Sequence, residues 1–551
     1  LTTTPIPNGT DIMDEPVTLS RRSTLGLLGA LSLTAATTVT ATAAGVSGPR
    51  SSSRLAREVE AIMRRYSFQG ARWGAQVADL GTGETAYALN SDQLFNPGSS
   101  YKVFPGGTAF TALGPDHRFR TRVHRTGPVH RGVLRGDLVL VAGADLLLSG
   151  RIRRNGTVAL PEPDHSYDRS PGVGPIGGDP LQELRQLAAQ VAERGIRRIE
   201  GRVLVDARLF REDTEKMANG GVDMTVSPIM VNDNLVDVAV SPGRRAGTPA
   251  SIRITPENDY VRIVNRVTTI PAADAASARR LEFGDDVVAA DGTRTVTLNG
   301  EIPLGSAGLF KVYYVPEPIA FAQALFTRTL RDKGIHATTD LTAAPDPGVR
   351  HLDRTKVAEH VSPPLTEELK VMLKVSSNPH TVVWPYVVGA VAAGQPEQAK
   401  AAGLRLQREL FQRAGLDPTP PGSDRDLYTP DFFVRFLAHM ARQPHFRRYR
   451  QMLPILGRDG SLRNTLPESP AAGHVFAKTG TSMSVGGPQA GDVRKALVGY
   501  VDLPGGRGLV FSAFVEATTT SPAEVESLSE QAGLALGEIA AAAYTTHAGR
   551  P

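Results

Sequence analysis

A chain of 551 residues is longer than one hydrophobic core usually organises, so length alone predicts two or more domains. Its 61 basic and 56 acidic residues are interleaved, and the net charge of +5 lacks the clustered basic face of a nucleic-acid binder. With no cysteine, thiol nucleophiles, thiolate metal sites and disulfides are excluded together.

The first readable element is Ser20-Arg21-Arg22-Ser23-Thr24-Leu25, a twin-arginine pattern. A small-residue apolar stretch follows over 25–39, with an Ala-x-Ala site at Ala41-Thr42-Ala43. Residues 1–43 read as an extension plus a Tat-type signal peptide cleaved after Ala43, with Met13 as the physiological start. The stretch is rich in Gly, Ala and Thr and falls short of the ~20 strongly apolar residues of a membrane span. No other segment is long and apolar enough to cross a bilayer, so the exported protein is expected outside the cytoplasm with no stable transmembrane segment.

Downstream of Ser99-Ser100-Tyr101-Lys102, strands are predicted at 137–141 and 202–205. Between them lies a helix with Asp179 as N-cap, Pro180 at its first position, a stripe of Leu181, Leu184, Leu187, Ala188 and Val191, and Gly195 as terminator. This alternation predicts an α/β unit. From 239 to 312 the pattern turns to β-alternation, with Asn299-Gly300 predicted as a hairpin turn. A helix is predicted over 318–333, and the Pro-rich stretch 344–348 marks a return toward the first domain. Leu365, Leu369, Met372 and Leu373 share the face of a helix that leads into Ser376-Ser377-Asn378. A strand at 474–477 leads into Lys478-Thr479-Gly480-Thr481. Strands at 496–501 and 509–514 are joined through Pro504-Gly505-Gly506 as antiparallel neighbours, and a last helix is capped by Ser521, Pro522 and Glu524 as a capping box.

The three polar motifs are separated by 277 and then 102 positions, so something large is inserted in the first gap. The expected organisation is a discontinuous domain of 51–122 plus 355–546 around an antiparallel sheet flanked by helices. An α/β insert of 123–238 plus 313–354 projects from it, with a β-rich domain of 239–312 nested inside.

The motifs also make chemical sense together. A serine hydroxyl needs a base within hydrogen-bond reach, and residues three apart share a helix face, so Ser99 and Lys102 present Oγ and Nζ to one cavity. Lys102 acts as a base only if burial and a positive neighbour depress its pKa, and Lys478 is such a neighbour. Ser376 would relay the proton to a leaving amine while Asn378 holds Lys102 and a substrate amide. Lys478 with Thr479 and Thr481 suits a substrate carboxylate. The N–H groups of Thr481 and Ser99 would form an oxyanion hole, where one donor is worth about 2.7–4 kcal/mol. Singly, each motif reads as a helix-start serine, a turn asparagine or an edge-strand lysine. In order they point to acyl transfer, with no cofactor or metal called for; Gly98-Ser99-Ser100-Tyr101 is not a nucleophile elbow, and no histidine pair has HExxH spacing.

The trio resembles the active-site pattern of penicillin-recognising serine enzymes, and more closely the class C low-molecular-mass penicillin-binding proteins, the D-alanyl-D-alanine carboxypeptidase/endopeptidases. Supporting similarities include Phe95-Asn96-Pro97-Gly98, Gly143-Ala144-Asp145, Leu453-Pro454-Ile455 and Asp459-Gly460-Ser461-Leu462. The resemblance implies a β-lactamase-like transpeptidase fold and an acyl-enzyme on Ser99. It further implies peptidoglycan stem peptides as substrates, β-lactams as covalent inhibitors, and a Lys478-Thr479-Gly480-Thr481 substrate strand. It places an amine-binding aspartate at Asp223; Asn232, Asp233 and Asn234 look more like turn residues.

Several residues depart from that pattern. Pro105-Gly106-Gly107 predicts a kinked or late-starting nucleophile helix, Pro379 restricts Asn378 to extended backbone, and 482–494 reads as a mobile loop around Gly486-Gly487-Pro488. Gly422-Ser423-Asp424-Arg425-Asp426 stands where the family has a glycine-serine-glycine segment. Two alternatives remain open on the residues: a divergent serine acyltransferase, esterase or amidase on another substrate, and a non-catalytic wall-binding module.

Overall fold

The computed structural model describes residues 53–549 apart from 67, 169, 171, 218–221, 347–353, 424–425 and 486–490. The expected signal peptide, the Asp424-Arg425 pair and the Gly486-Gly487-Pro488 core therefore lie outside the described residues.

The two ends of the described chain meet in one five-stranded antiparallel sheet. Its order is Val475–Val485, Gly491–Asp502, Gly508–Thr519, Arg72–Asp79 and Thr85–Leu89. The central strands are buried on both faces, which explains their unbroken apolar runs. On one face Val77, Leu497, Phe511 and Val515 pack against the helices Arg54–Arg65 and Val525–His547. On the other, Phe514 and Tyr500 join a helical layer centred on Phe104. That ring stacks on Phe433 at 4.8 Å and meets the edges of Phe411, Phe432 and Phe436.

The inserted segment builds a second core. Thr355–Val361, Arg120–Arg125, Leu138–Val141 and Val203–Asp206 form a four-stranded sheet, so the strand Arg120–Arg125 runs across the expected 122/123 boundary. The helices Gln182–Glu193 and Pro318–Asp332 share its core, and the predicted stripe Leu181, Leu184, Leu187, Ala188 and Val191 is buried there. The first of these helices starts later than predicted: Asp179 Oδ1 accepts the Leu181 N–H at 3.0 Å in a preceding turn, and regular helix begins at Gln182.

Three other expectations are corrected, and a fourth in part. Asn299-Gly300 is no turn. The strand Arg294–Pro303 runs straight through it, parallel to Val261–Ile270, and Gly300 is at φ +133° where a Cβ would meet the Arg280 carbonyl oxygen at 2.7 Å. The stretch 482–494 is no loop on its described residues, since Ser482↔Arg494 through Val485↔Gly491 continue the β-ladder. No capping box forms at Ser521; Glu524 Oε2 instead accepts the Thr519 hydroxyl at 2.9 Å. Finally, the helix after Ser99 is not broken by Pro105, although it does start late, as expected, with regular α-helix beginning beyond both Ser99 and Lys102. Residues Gly98–Lys102 form a 3₁₀ turn and α-helix follows from Val103 to Leu113, so Pro105 falls in the first α turn, where its missing N–H costs little. Gly106 and Gly107 have a packing reason. A Cβ at Gly106 would lie 3.1 Å from Met372 Cε and one at Gly107 2.9 Å from Phe436 Cζ, so both let neighbouring helices approach.

Candidate active site

Ser99 is half-buried on the 3₁₀ turn, where residues i and i+3 eclipse, so Ser99 and Lys102 share one face. Asn96 Oδ1 fixes the turn by accepting the Gly98 N–H at 2.8 Å, and Ser100 Oγ donates to the Pro97 carbonyl at 2.8 Å. The turn lies directly against the outer strand of the large sheet. A Cβ on Gly98, which has φ +46°, would stand 2.6 Å from Thr481 N, and one on Gly480 would stand 1.9 Å from Pro97 O. Two glycines thus let backbone meet backbone and bring Thr481 beside the residue before Ser99.

Lys102 is 1% exposed and spends its donors on the second motif. It donates to the Ser376 carbonyl at 2.5 Å, to Ser376 Oγ at 3.2 Å and to Asn378 Oδ1 at 2.6 Å. Lys478 is fully buried and donates to Ser376 Oγ at 2.9 Å and to the Thr479 carbonyl at 3.0 Å. Ser376 Oγ therefore bridges the two lysines. Burial holds Lys102 well below the usual lysine range, the Lys478 charge lowers it further, and Asp164 opposes them. Burial brings Lys478 down to about 7, against the pull of Glu162. One of this pair is thus able to be a neutral amine near neutral pH and accept a proton.

Local sequence explains the second motif's shape. Ser376 has φ +61°, and Ser377 caps the helix Asn378–Val387. Asn378 opens that helix instead of being extended, because Pro379 sits in the first turn, where proline is tolerated. On the third motif, Thr479 Oγ1 is 2.7 Å from Ser461 Oγ, and Lys495, across the ladder, donates to Thr481 Oγ1 at 2.9 Å. Of these partners, Ser461 lay within the Asp459-Gly460-Ser461-Leu462 similarity, whereas Lys495 had no sequence signal.

The insert supplies further residues that sequence reasoning missed. The Tyr167 hydroxyl donates to the Ser376 carbonyl at 2.6 Å and lies within hydrogen-bond reach of the Ser99 side chain; burial pushes its pKa up to about 12. Glu162 keeps solvent access, yet partial burial raises its carboxyl to about 7 against the attraction of Lys478. Neither residue belongs to a recognisable pattern. Asp223 is exposed at the start of the strand Asp223–Val226, opposite Lys216. No hydrogen bond or ion pair joins it to Ser99, Lys102 or Lys478 among the described residues.

Asn232, Asp233 and Asn234 do form a turn, each with φ between 50° and 56°, but they are not solvated turn residues. Asp233 is fully buried against Arg151, His165 and His380. Asp164, His165 and Asp233 present ligand atoms within 4.8 Å of one another, a spacing that would suit a cation. The Arg151 guanidinium already holds Asp164 at 2.7 Å and Asp233 at 2.6 Å, so these carboxylates serve an arginine.

Comparison with known proteins identifies the family. The chain is 27% identical over 487 residues to a D-alanyl-D-alanine carboxypeptidase of Actinomadura sp. (strain R39), covering 84% of this chain and 80% of the relative. It is 22% identical over 480 residues to the D-alanyl-D-alanine carboxypeptidase DacB of Haemophilus influenzae, covering 85% and 89%. In fold it matches the crystal structure of penicillin binding protein 4 (dacB) from Haemophilus influenzae with a TM-score of 0.64 at 20% identity, over 89% of this chain and 99% of that one. The model of the D-Ala-D-Ala carboxypeptidase 3 (S13) family matches residues 55–535, and the chain belongs to that family of serine peptidases.

Proposed function

We propose that this protein is a serine DD-peptidase that cleaves D-Ala-D-Ala or cross-linked stem peptides of peptidoglycan through an acyl-enzyme on Ser99. The observation that carries the reading is the bridge Lys102–Ser376–Lys478: two buried lysines with depressed pKa values share one serine hydroxyl beside the Ser99 turn. Ser99 Oγ attacks the carbonyl of the penultimate D-Ala, and its proton passes to Lys102. Ser376 Oγ, held between the lysines, returns a proton to the leaving amine. Lys478, Thr479 and Thr481 receive the terminal carboxylate, with Gly480 allowing the strand to reach the Ser99 turn. Water then hydrolyses the acyl-enzyme with the same groups in reverse order. Asp223 is proposed to meet the amine of the stem peptide.

Acylation by β-lactams follows, because such a lactam presents a strained amide and a carboxylate to the same groups; the penicillin binding protein 4 of Haemophilus influenzae has been crystallised complexed with a novel β-lactam. Export through the Tat pathway is proposed on Arg21 and Arg22, and no helix among the described residues is long and apolar enough to cross a membrane. The test is labelling with a fluorescent penicillin together with release of D-alanine from diacyl-Lys-D-Ala-D-Ala. Wild type should do both and Ser99→Ala neither. A label that persists in Ser99→Ala would overturn the nucleophile, and labelling without D-alanine release would move the substrate elsewhere.

A further inference from the structure

The buried charges behind the catalytic cluster form one connected network. Asp233 Oδ2 accepts from Arg151 Nη2 at 2.6 Å and from His165 Nε2 at 3.0 Å, while Oδ1 faces His380 Nε2 at 3.3 Å. Arg151 also holds Asp164 at 2.7 Å, and His165 Nδ1 meets Asp237 at 2.9 Å. All of these side chains are 0% exposed except Asp237, at 2%. Burying so many charges is costly even when each is paired, because desolvation can outweigh the attraction, so a single carboxylate that serves three partners is hard to account for as a device for stability.

Its position gives a better account, because two arms leave Asp233 and converge on Lys102. One runs through Arg151 to Asp164, whose Oδ1 accepts the N–H and hydroxyl of Ser166 at 3.2 and 2.7 Å. The next residue is Tyr167, whose hydroxyl reaches the Ser376 carbonyl that also accepts from Lys102. The other arm runs through His380, whose N–H is capped by Ser377 Oγ at 3.5 Å, to Asn378 two residues earlier, the tightest side-chain acceptor of Lys102. The arms come from opposite sides: Arg151, Asp164 and Tyr167 belong to the insert, and His380 to the helix that carries the second motif. We propose that Asp233 is a positioning residue for acylation, clamping the insert and the Ser376–Asn378 turn to one carboxylate so that Lys102 meets its acceptors in register.

This proposal rests on Ser99 being the acylated residue, and the experiment separates the two. Acylation of the purified full chain by a fluorescent penicillin is measured from pH 5 to 10 and normalised to the folded fraction from a thermal melt, for wild type, Asp233→Asn, His380→Phe and His380→Gln. Asp233→Asn should acylate at least 30-fold more slowly. Its acid limb should move to lower pH, because a negative charge facing the network of Arg151, Asp164, His165, Asp237 and His380 has gone and Lys102 loses its proton more readily. His380→Phe should fall at least tenfold, and His380→Gln, which still donates toward Asp233, should stay within threefold of wild type. Acylation within threefold and an unshifted limb in both Asp233→Asn and His380→Phe, with only the melting temperature lowered, would overturn the proposal. If Asp233→Asn does not fold, the His380 pair decides by the same criterion. Failure of wild type to label at Ser99 would sink the functional reading instead.

Discussion

Replacing Gly98 by alanine adds one methyl group at the point where the Ser99 turn touches the Lys478–Thr481 strand. That carbon would stand 2.6, 2.8 and 2.9 Å from Thr481 N, O and C, all of them backbone atoms that no side-chain rotation can clear. Ordinary contact begins at 3.4 Å, so turn and strand must part by about 0.8 Å. Gly98 also holds φ +46°, where an L-residue costs about 1–2 kcal/mol. A misplacement of about 1 Å in an active site can cost about 100-fold in rate, so acylation by a fluorescent penicillin should fall by roughly two orders of magnitude, with about 1–3 kcal/mol lost from unfolding. Gly83→Ala is the control: its φ is +75° and nothing lies within 4 Å, so it carries the backbone strain without the collision and should acylate normally. Acylation of Gly98→Ala within threefold of wild type would refute the claim that this contact sets the distance between Ser99 and Thr481.

Lys102→Met removes the proposed base while keeping the chain's bulk. Ser376 keeps Lys478 and Tyr167 as partners, and only Asn378 Oδ1 loses its donor, so stability should change by no more than about 1–3 kcal/mol. Acylation should drop about 100- to 10,000-fold, the span of general-base contributions, as stopped-flow labelling would show. Gly106→Ala and Gly107→Ala should separate. The first meets a flexible methionine end at 3.1 Å and gains up to about 1 kcal/mol in helix propensity, while the second drives into the Phe436 ring and should lose about 1–3 kcal/mol by denaturant titration.

The pH dependence of stability has two opposed slopes. Lys478, lowered to about 7 from 10.5, makes the unfolded chain bind more protons between those values, so it contributes stability that rises with pH there. His165, raised to about 10 from 6.5 by Asp237 and Asp233 in spite of its burial, contributes stability that is full below pH 6.5 and is lost toward pH 10. These two contributions nearly offset one another, while Lys102 and Lys495, both also depressed, add to the rising side in wild type. Lys478→Met removes its share of the rising slope, so relative to wild type its stability should decline by up to about 1.4 kcal/mol per pH unit between pH 7 and 10, as equilibrium urea titrations at several pH values would reveal. A slope equal to that of wild type would mean that Lys478 is not depressed.

Much of this protein is legible in its sequence, for reasons local to the chain. The order Ser99–Lys102, Ser376–Asn378, Lys478–Thr481 is a linear pattern because each motif is read within a single turn or strand, and the size of the insert is plain from the spacing. Amphipathic stripes such as Leu184, Leu187 and Val191 announce a buried helix face, since periodicity is a property of neighbours in sequence. Signals that depend on partners misled. Asn299-Gly300 has turn chemistry, but a parallel neighbour extends the strand through it, and Pro105 and Pro379 look like breaks until the 3₁₀ turn and the Ser377 cap place each in a first helical turn.

Acylation chemistry was therefore written into the sequence, and the control of that chemistry was not. Lys102 and Lys478 are ordinary lysines until the fold removes water from both and puts Ser376 Oγ between them, because desolvation depends on what surrounds a group in space. Likewise Tyr167, 209 positions from Ser376, and Asp233, 147 from His380, have no local mark. Only the docking of the insert on the catalytic sheet brings these residues together, since hydrogen bonds and ion pairs are fixed by distance in space and not by separation along the chain.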